Sequence, residues 1–459
     1  AVYVVSFLSG EPPGAVLSGF TVRNSISGGI RIDFGSSPTL VGNVVKENTG
    51  CLDGVGILMC CSSSLIAGNA ILNNTQVGCS GGEGGGLRMS GDCTGARILD
   101  NLIANNHHSS GGGLALSSAG SPLIQGNVLS GNTASLFSGG IGWFNSTPRL
   151  IQNLFVGNTA NNGGGGIAFS GVPAAGSTLV ANNTVVGNSC PSGSSLLGLD
   201  GMPASVLIRN NIFSGPPGQI SVFAPTYTGG TSFRNNDVFG PGSTLYGGGM
   251  PSQTALNGNF SANPLFVNPS QGDYHLQASS PCIDAGLNTI APLPFADPDG
   301  DTRIQDGDEN GSAAIDVGRD EYAAADRFGL GCRGTFGLIP RLGIAGPPAI
   351  GNGSFAVALS GAPGGTTSVL VVGVSLPPSP INLAALGLPA CSLFVSPDIC
   401  VVAPTPGTGL VDGNLTTSLP IPNDPAFLGL HLYFQSHAAD SPGPIVPAAL
   451  SPAIDVAVL

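Results

Sequence analysis

Lys46 is the only lysine in the chain, and Arg23 and Glu47 are the charged residues best placed to act with it. A lyase that removes the proton beside a uronate carboxylate needs a basic side chain. It also needs a cation, or Ca²⁺, to neutralise that carboxylate. If Phe20 takes the place in one repeat that Asn43 takes in the next, Arg23 lies directly on Lys46. A glycosidase instead needs two carboxylates converging on one face. The acids in the coils, Asp33, Glu47, Asp53, Glu83, Asp92, Asp100 and Asp200, are scattered, and no column stacks two of them. A third chemistry belongs to the stretch from Asp297 to Asp326, which holds 10 of the 26 acidic residues. Asp297-x-Asp299-x-Asp301 and Asp306-x-Asp308-x-Asn310-Gly311 resemble the opening of Ca²⁺ loops, where alternate oxygens converge on the ion. Position 12 is Asp308 in one and Val317 in the other, so neither is a full EF-hand loop. Ca²⁺ is the cofactor expected here; the bland reading is a solvated linker whose Asp side chains cap turns.

These residues must be held by something, and the holder is a repeat. An aliphatic-x-Gly/Asn-Asn-x-apolar-x-x-Asn block recurs with its first Asn at Asn43, Asn69, Asn101, Asn127, Asn153 and Asn183, then less regularly at Asn211 and Asn236. The spacings run from 25 to 32 residues, and a second Asn follows five positions later at Asn48, Asn74, Asn106, Asn132, Asn158 and Asn188. A period this short, with about three short strands and Gly-rich corners, means a parallel β-solenoid rather than a propeller. Aligned on the Asn, Val45, Ile71, Ile103, Leu129, Phe155, Val185, Phe213 and Val238 form one apolar column. Leu40, Ile66, Ile98, Ile124, Leu150, Val180 and Ile208 form another, as expected if each strand turns one face to a common core. The Asn columns read as coil-to-coil ladders at corners that need left-handed backbone.

Register then sorts the remaining candidates. Trp143 falls with Ile32, Met59, Met89, Leu116 and Phe169 and should point inward, leaving Phe144 as the outward aromatic. His107 and His108 read as a surface corner loop. Cys61 and Cys93 each lie eight residues before the first Asn of their coils, and stacked coils are about 4.8 Å apart. That separation suits a Cys61–Cys93 disulfide. Cys51–Cys79 is a plausible loop-to-loop bridge, and Cys391–Cys400 could close a hairpin.

Composition closes off other classes. With 73 Gly and 37 Pro among 459 residues, helix bundles are excluded. A net charge of −13 disfavours nucleic acid, and no apolar run is long enough for membrane insertion. Ten cysteines in an acidic chain point to an oxidising, extracellular or cell-surface location. The opening Ala1-Val-Tyr-Val-Val is strand-like, so a leader or earlier coils are expected upstream. After Arg341 no Lys or Arg occurs, the Asn repeat stops, and alternating segments such as Ser354–Leu359 and Ala453–Leu459 suggest a β-sandwich. The expected fold is therefore all-β: coils over 1–262, a closing segment with acidic loop over 263–328, and a C-terminal β-sandwich over 329–459, hinged near Ala325–Gly334.

The repeat resembles the right-handed parallel β-helix, or pectate-lyase-like, superfamily over roughly residues 1–320. The series Asn263-Pro-Leu-Phe-Val-Asn, Asp273-Tyr-His-Leu-Gln, Ser280-Pro-Cys-Ile-Asp-Ala-Gly286 and Ile315-Asp-Val-Gly-Arg-Asp-Glu-Tyr322 resembles the closing segment of secreted, planctomycete-type β-helix proteins with an appended sandwich. That resemblance implies a cap over the last coil and no catalytic motif. The reading that follows is a non-catalytic structural, adhesive or glycan-contacting protein. Its expected partner is an extracellular glycan or a second copy of itself, joined end to end through residues 1–8 or 453–459. The alternative is a polysaccharide lyase on an acidic glycan, using Lys46, Arg23 and Glu47.

Overall fold

The computed structural model describes residues 3–51, 53–171, 178–192, 194–199, 206–225, 227, 233–290, 293–308, 310–334, 337–388, 391–440 and 448–459. Asp200 and residues 1 and 2 of the expected edge strand lie outside them. Among the described residues the structure is β with three single-turn 3₁₀ segments, and no helix is long and apolar enough to cross a membrane. Two compact units form: residues 1–287 with 316–319, and residues 288–315 with 320–459.

The first unit is a parallel β-solenoid. A ten-stranded sheet runs from Val5–Phe7 to Thr244–Gly247, a nine-stranded one from Val16–Ser18 to Phe233–Arg234, and another nine-stranded one from Thr21–Arg23 to Asp237–Phe239. A five-stranded sheet from Thr49–Gly50 to Thr159–Asn162 lines one corner. The apolar columns stack in register, with Val45 on Ile71, Ile71 on Ile103, Ile103 on Leu129 and Leu129 on Phe155. All are buried in one continuous core. Each such side chain contributes roughly 1.5–3 kcal/mol over an exposed one.

Two Asn ladders seal the corners. Asn101 donates its backbone N–H and its Nδ2 to Asn127 Oδ1, both at 2.9 Å, and Asn127 repeats the pattern onto Asn153 Oδ1. The first ladder runs one rung beyond the sequence pattern, to Asn259. The left-handed backbone sits one residue before each rung, at Gly42, Gly68, Asp100, Gly126 and Gln152, and at Glu47, Asn73 and Asn105 in the second ladder. The corner therefore divides its work: one residue turns the chain, and the next satisfies buried backbone groups. Glycine is needed before the ten-stranded sheet, where a Cβ on Gly86 would lie 2.5 Å from the Gly113 carbonyl of the next coil.

The closing segment is bonded to the last coil. Asn235 Nδ2 donates to the Ala285 carbonyl, and on the coil before it Leu287 N–H donates to Asn210 Oδ1.

The second unit has a six-stranded antiparallel sheet: Asp326–Phe328, Ala453–Ala457, His431–Ala439, Thr367–Gly373 and Ile399–Pro404 in order, with Ala448–Leu450 also on His431–Ala439. A three-stranded antiparallel sheet is built from Arg341–Ala345, Ala356–Ala362 and Gly413–Ser418. Leu342, Phe355 and Leu359 share one core with Leu370, Phe434 and Ile454. Ala453–Ala457 is paired on both sides, so it offers no free edge for a second copy. The stretch expected as one closing piece over 263–328 divides between the units. The reason is local: residues 297–302 bond to the strand at Ile344 through Asp301 Oδ1 and Thr302 N–H.

Candidate functional site

Arg23 and Lys46 are register partners on the third sheet, as the alignment of Phe20 with Asn43 requires. Glu47 follows on the left-handed corner, and its Oε1 lies 3.2 Å from Lys46 Nζ. The three residues are brought together, with the lysine already engaged by a carboxylate. Three further acids of the coils, Asp33, Asp53 and Glu83, are similarly occupied. Arg31 pairs with Asp33 at 2.6 Å, and Arg88 pairs with Asp53 at 2.6 Å and Glu83 at 3.5 Å.

A concavity lies elsewhere, on the first sheet. A groove of about 510 Å³ is lined by Phe137, Ser138, Ala168, Ser170, Gly198 and Phe223, with Trp143 and Phe169 also bordering it. Its floor exists because Ala168 and Gly198 stack in register, so two successive coils present almost no side chain. Phe223 ends that column on one side, and Phe137, 53% exposed, stands on the other. Trp143 is 4% exposed, stacks on Phe169 at 5.1 Å, and has an Nε1–H with no acceptor. The sequence placed Trp143 inward correctly but gave no sign of the groove, because its signal is small residues rather than aromatic ones. Phe144 is 50% exposed and lies outside the groove lining.

His107 and His108 form the strand His107–Ser110 instead of a loop, and His108 is fully buried. The segment after each second Asn pairs with the next coil, so these residues carry backbone ladder bonds there.

The acidic stretch is more structural than its composition suggests. Asp297 is buried: its Oδ1 accepts the N–H groups of Asp299, Gly300 and Asp301, and its Oδ2 accepts that of Glu321. Asp301 pairs with Arg327 and accepts the Ile344 N–H. Burial pushes the Asp301 carboxyl up to about 7, against the pull of Arg327. Asp299 N–H bonds back to Asp297, so this segment is a turn closed upon one carboxylate. Asp306 accepts the N–H groups of Asn310 and Gly311, and Asp308 accepts from Asn310 N–H and Nδ2; this second loop is exposed.

Two disulfides are present, Cys51–Cys79 and Cys332–Cys391. Cys391 therefore pairs with Cys332, not with Cys400, which is exposed on the strand Ile399–Pro404. Cys61 and Cys93 are separate thiols. The strand Ile57–Cys60 pairs Cys60 with Ser90, so Cys61 lies against Gly91, two residues short of Cys93. Counting back from Asn101 crossed a corner two residues longer than its neighbour, and that moved Cys93 inward to the core.

One buried group was not foreseen. Asp237 is fully buried beneath the closing segment; its Oδ1 accepts the Ala262 N–H at 3.0 Å, and Cys282 Sγ lies 3.7 Å from its Oδ2. Burial pushes its carboxyl up to about 7.

Residues 13–188 match the family NosD, described as "Periplasmic copper-binding protein (NosD)". The matched span covers the regular coils through the last rung of the second Asn ladder, at Asn188. No curated protein and no solved structure matches the chain. The NosD-like coils and the two disulfides fit an extracytoplasmic protein.

Proposed function

We propose that this is a non-catalytic, extracytoplasmic β-helix protein that contacts glycan through the groove on its ten-stranded sheet. The observation that carries this reading is the groove itself: an apolar floor of stacked Ala168 and Gly198 bordered by the aromatic rings of Phe137 and Phe223. Sugars bind by laying a C–H face on an aromatic ring and offering hydroxyls to a few fixed polar groups. Ser138 and Ser170 supply further hydroxyls at the rim. The copper of the matching family's description is not part of this reading; the methionine sulfurs of the matched span, in Met59 and Met89, are sealed in the core.

The test is binding to a panel of neutral and acidic polysaccharides, with Phe137→Ala and Phe223→Ala beside the unaltered protein. Weakening of about 2- to 12-fold by each variant, the worth of one aromatic contact, is expected. No binding across the panel, or binding indifferent to both variants, refutes the groove. An unsaturated-uronate absorbance that disappears in Lys46→Ala would replace this reading with the lyase one. Calcium is proposed for the exposed loop at Asp306, Asp308 and Asn310, where a rise in melting temperature with added Ca²⁺ that Asp306→Asn abolishes is expected. Self-association is proposed through the edge strand Val5–Phe7, and a sedimentation coefficient independent of concentration would remove it.

A further inference from the structure

Six cysteines are free thiols, and two of them are neighbours in sequence with their sulfurs in contact: Cys60 Sγ and Cys61 Sγ lie 3.4 Å apart. Cys60 ends its strand and points outward between Asp33 and Ser90, while Cys61 is exposed on the corner with φ 49°. That left-handed turn folds the Cys61 side chain back over the strand end. Its sulfur rests where a side chain on Gly91 would otherwise stand, so the next coil leaves room for it. The Cys61 N–H is held by Ser90 O at 2.9 Å, which fixes this geometry from the backbone. Cys93, the only other thiol nearby among the described residues, is sealed in the core with its Sγ on the Ser90 carbonyl.

We infer that Cys60 and Cys61 form an exchangeable dithiol that closes to a disulfide ring through their shared peptide bond. The co-reactant is a small disulfide of the kind found outside the cytoplasm, such as oxidised glutathione. The exposed Cys61 thiolate attacks one sulfur of that disulfide, and one glutathione leaves as a thiolate. The Cys60 thiolate, already 3.4 Å away, then attacks Cys61 Sγ and expels the second glutathione. The protein loses two hydrogens, and one disulfide becomes two thiols. The reverse reaction begins at Cys61, the more exposed sulfur. The other two disulfides link residues 28 and 59 apart and have no such neighbouring thiol to exchange with, so this pair is the reactive site.

Tryptic mapping separates the outcomes, because no Lys or Arg lies between Glu47 and Arg88, and Cys93 falls in the next peptide, 89–97. The full chain is reduced mildly, exposed to oxidised glutathione, alkylated and digested. Peptide 47–88 is expected to be four hydrogens lighter than its reduced form, carrying Cys51–Cys79 and the new ring, while Cys93 is alkylated. In a Cys51→Ser/Cys79→Ser protein the same peptide should be two hydrogens lighter, which only Cys60–Cys61 can produce. Cys60→Ser should leave Cys61 alkylated or joined to glutathione. Alkylation of both Cys60 and Cys61 after oxidation overturns the proposal, as does a link between 47–88 and 89–97. Thiols that stay blocked until a cuprous chelator is added overturn it too, since the pair would then be a metal site.

Discussion

Asn127→Ala tests whether the ladder or the apolar columns hold the coils together. Asn127 Oδ1 accepts Asn101 N–H and Nδ2, both at 2.9 Å, and its own Nδ2 donates to Ile98 O at 2.8 Å and Asn153 Oδ1 at 3.0 Å. Alanine leaves the Asn101 backbone N–H without its acceptor and the Ile98 carbonyl without this donor. Asn101 Nδ2 keeps Ile66 O, and Asn153 Oδ1 keeps the backbone N–H of residue 127. One group, the Asn101 N–H, is then orphaned in a site water cannot reach, while the Ile98 carbonyl keeps its strand bond from Gln125 N–H, so the loss should be about 1–3 kcal/mol. That is a large share of the roughly 5–15 kcal/mol that holds a folded domain. The assay is urea unfolding followed by the fluorescence of Trp143, the only tryptophan. Asn161→Ala is the control, because Asn161 is exposed and donates only to Ser135 O; it should fall within about 0.5 kcal/mol of the parent. Asn127→Asp keeps the acceptor but buries a charge, so it should be weakest at neutral pH and recover on acidification. A loss below about 1 kcal/mol in Asn127→Ala would show that the ladder marks the corner without holding it.

Three further outcomes follow from single residues. Asp237 binds its proton more tightly folded than unfolded, so the stability it contributes is full at low pH and is lost as pH rises from about 4 to about 7. The upper bound of that loss is roughly 4 kcal/mol, and Asp237→Asn should remove most of the slope between pH 4 and 8 in unfolding midpoints. Cys332→Ser opens a link between residues 59 apart, which should lower the stability of the C-terminal unit by about 4 kcal/mol in denaturant titration. Gly86→Ala forces a Cβ against the Gly113 carbonyl and the Ile103 side chain, and should cost about 1–3 kcal/mol by the same measurement.

The coils were legible because a solenoid turns sequence period into spatial register. Once Asn43 and Asn69 are aligned, every residue between them acquires neighbours, and the inward place of Trp143 and the stacking of Arg23 on Lys46 both follow. The same logic failed where corners change length. Cys93 sits two residues past the partner of Cys61 because its corner is longer, and alignment from the Asn side alone could not detect that. It failed again where chain distant in sequence covers a coil: nothing in Asn235-Asn-Asp-Val announces that Cys282 will close over Asp237.

The groove belongs to a third kind. Ala168 and Gly198 are ordinary small residues in a glycine-rich chain, and neither signals a site. Only stacked do they leave a trough, since a single larger side chain in that column would fill the floor between the Phe137 and Phe223 walls. A search for function that starts from charged and aromatic residues therefore looks in the wrong places on such a protein. In a chain with 8% charged residues, the shape of the surface is set by which columns are left empty as much as by which are filled. Ala168→Leu puts this to the test: it should abolish glycan binding while leaving the Asn ladders and the inward column of Trp143 and Phe169 undisturbed.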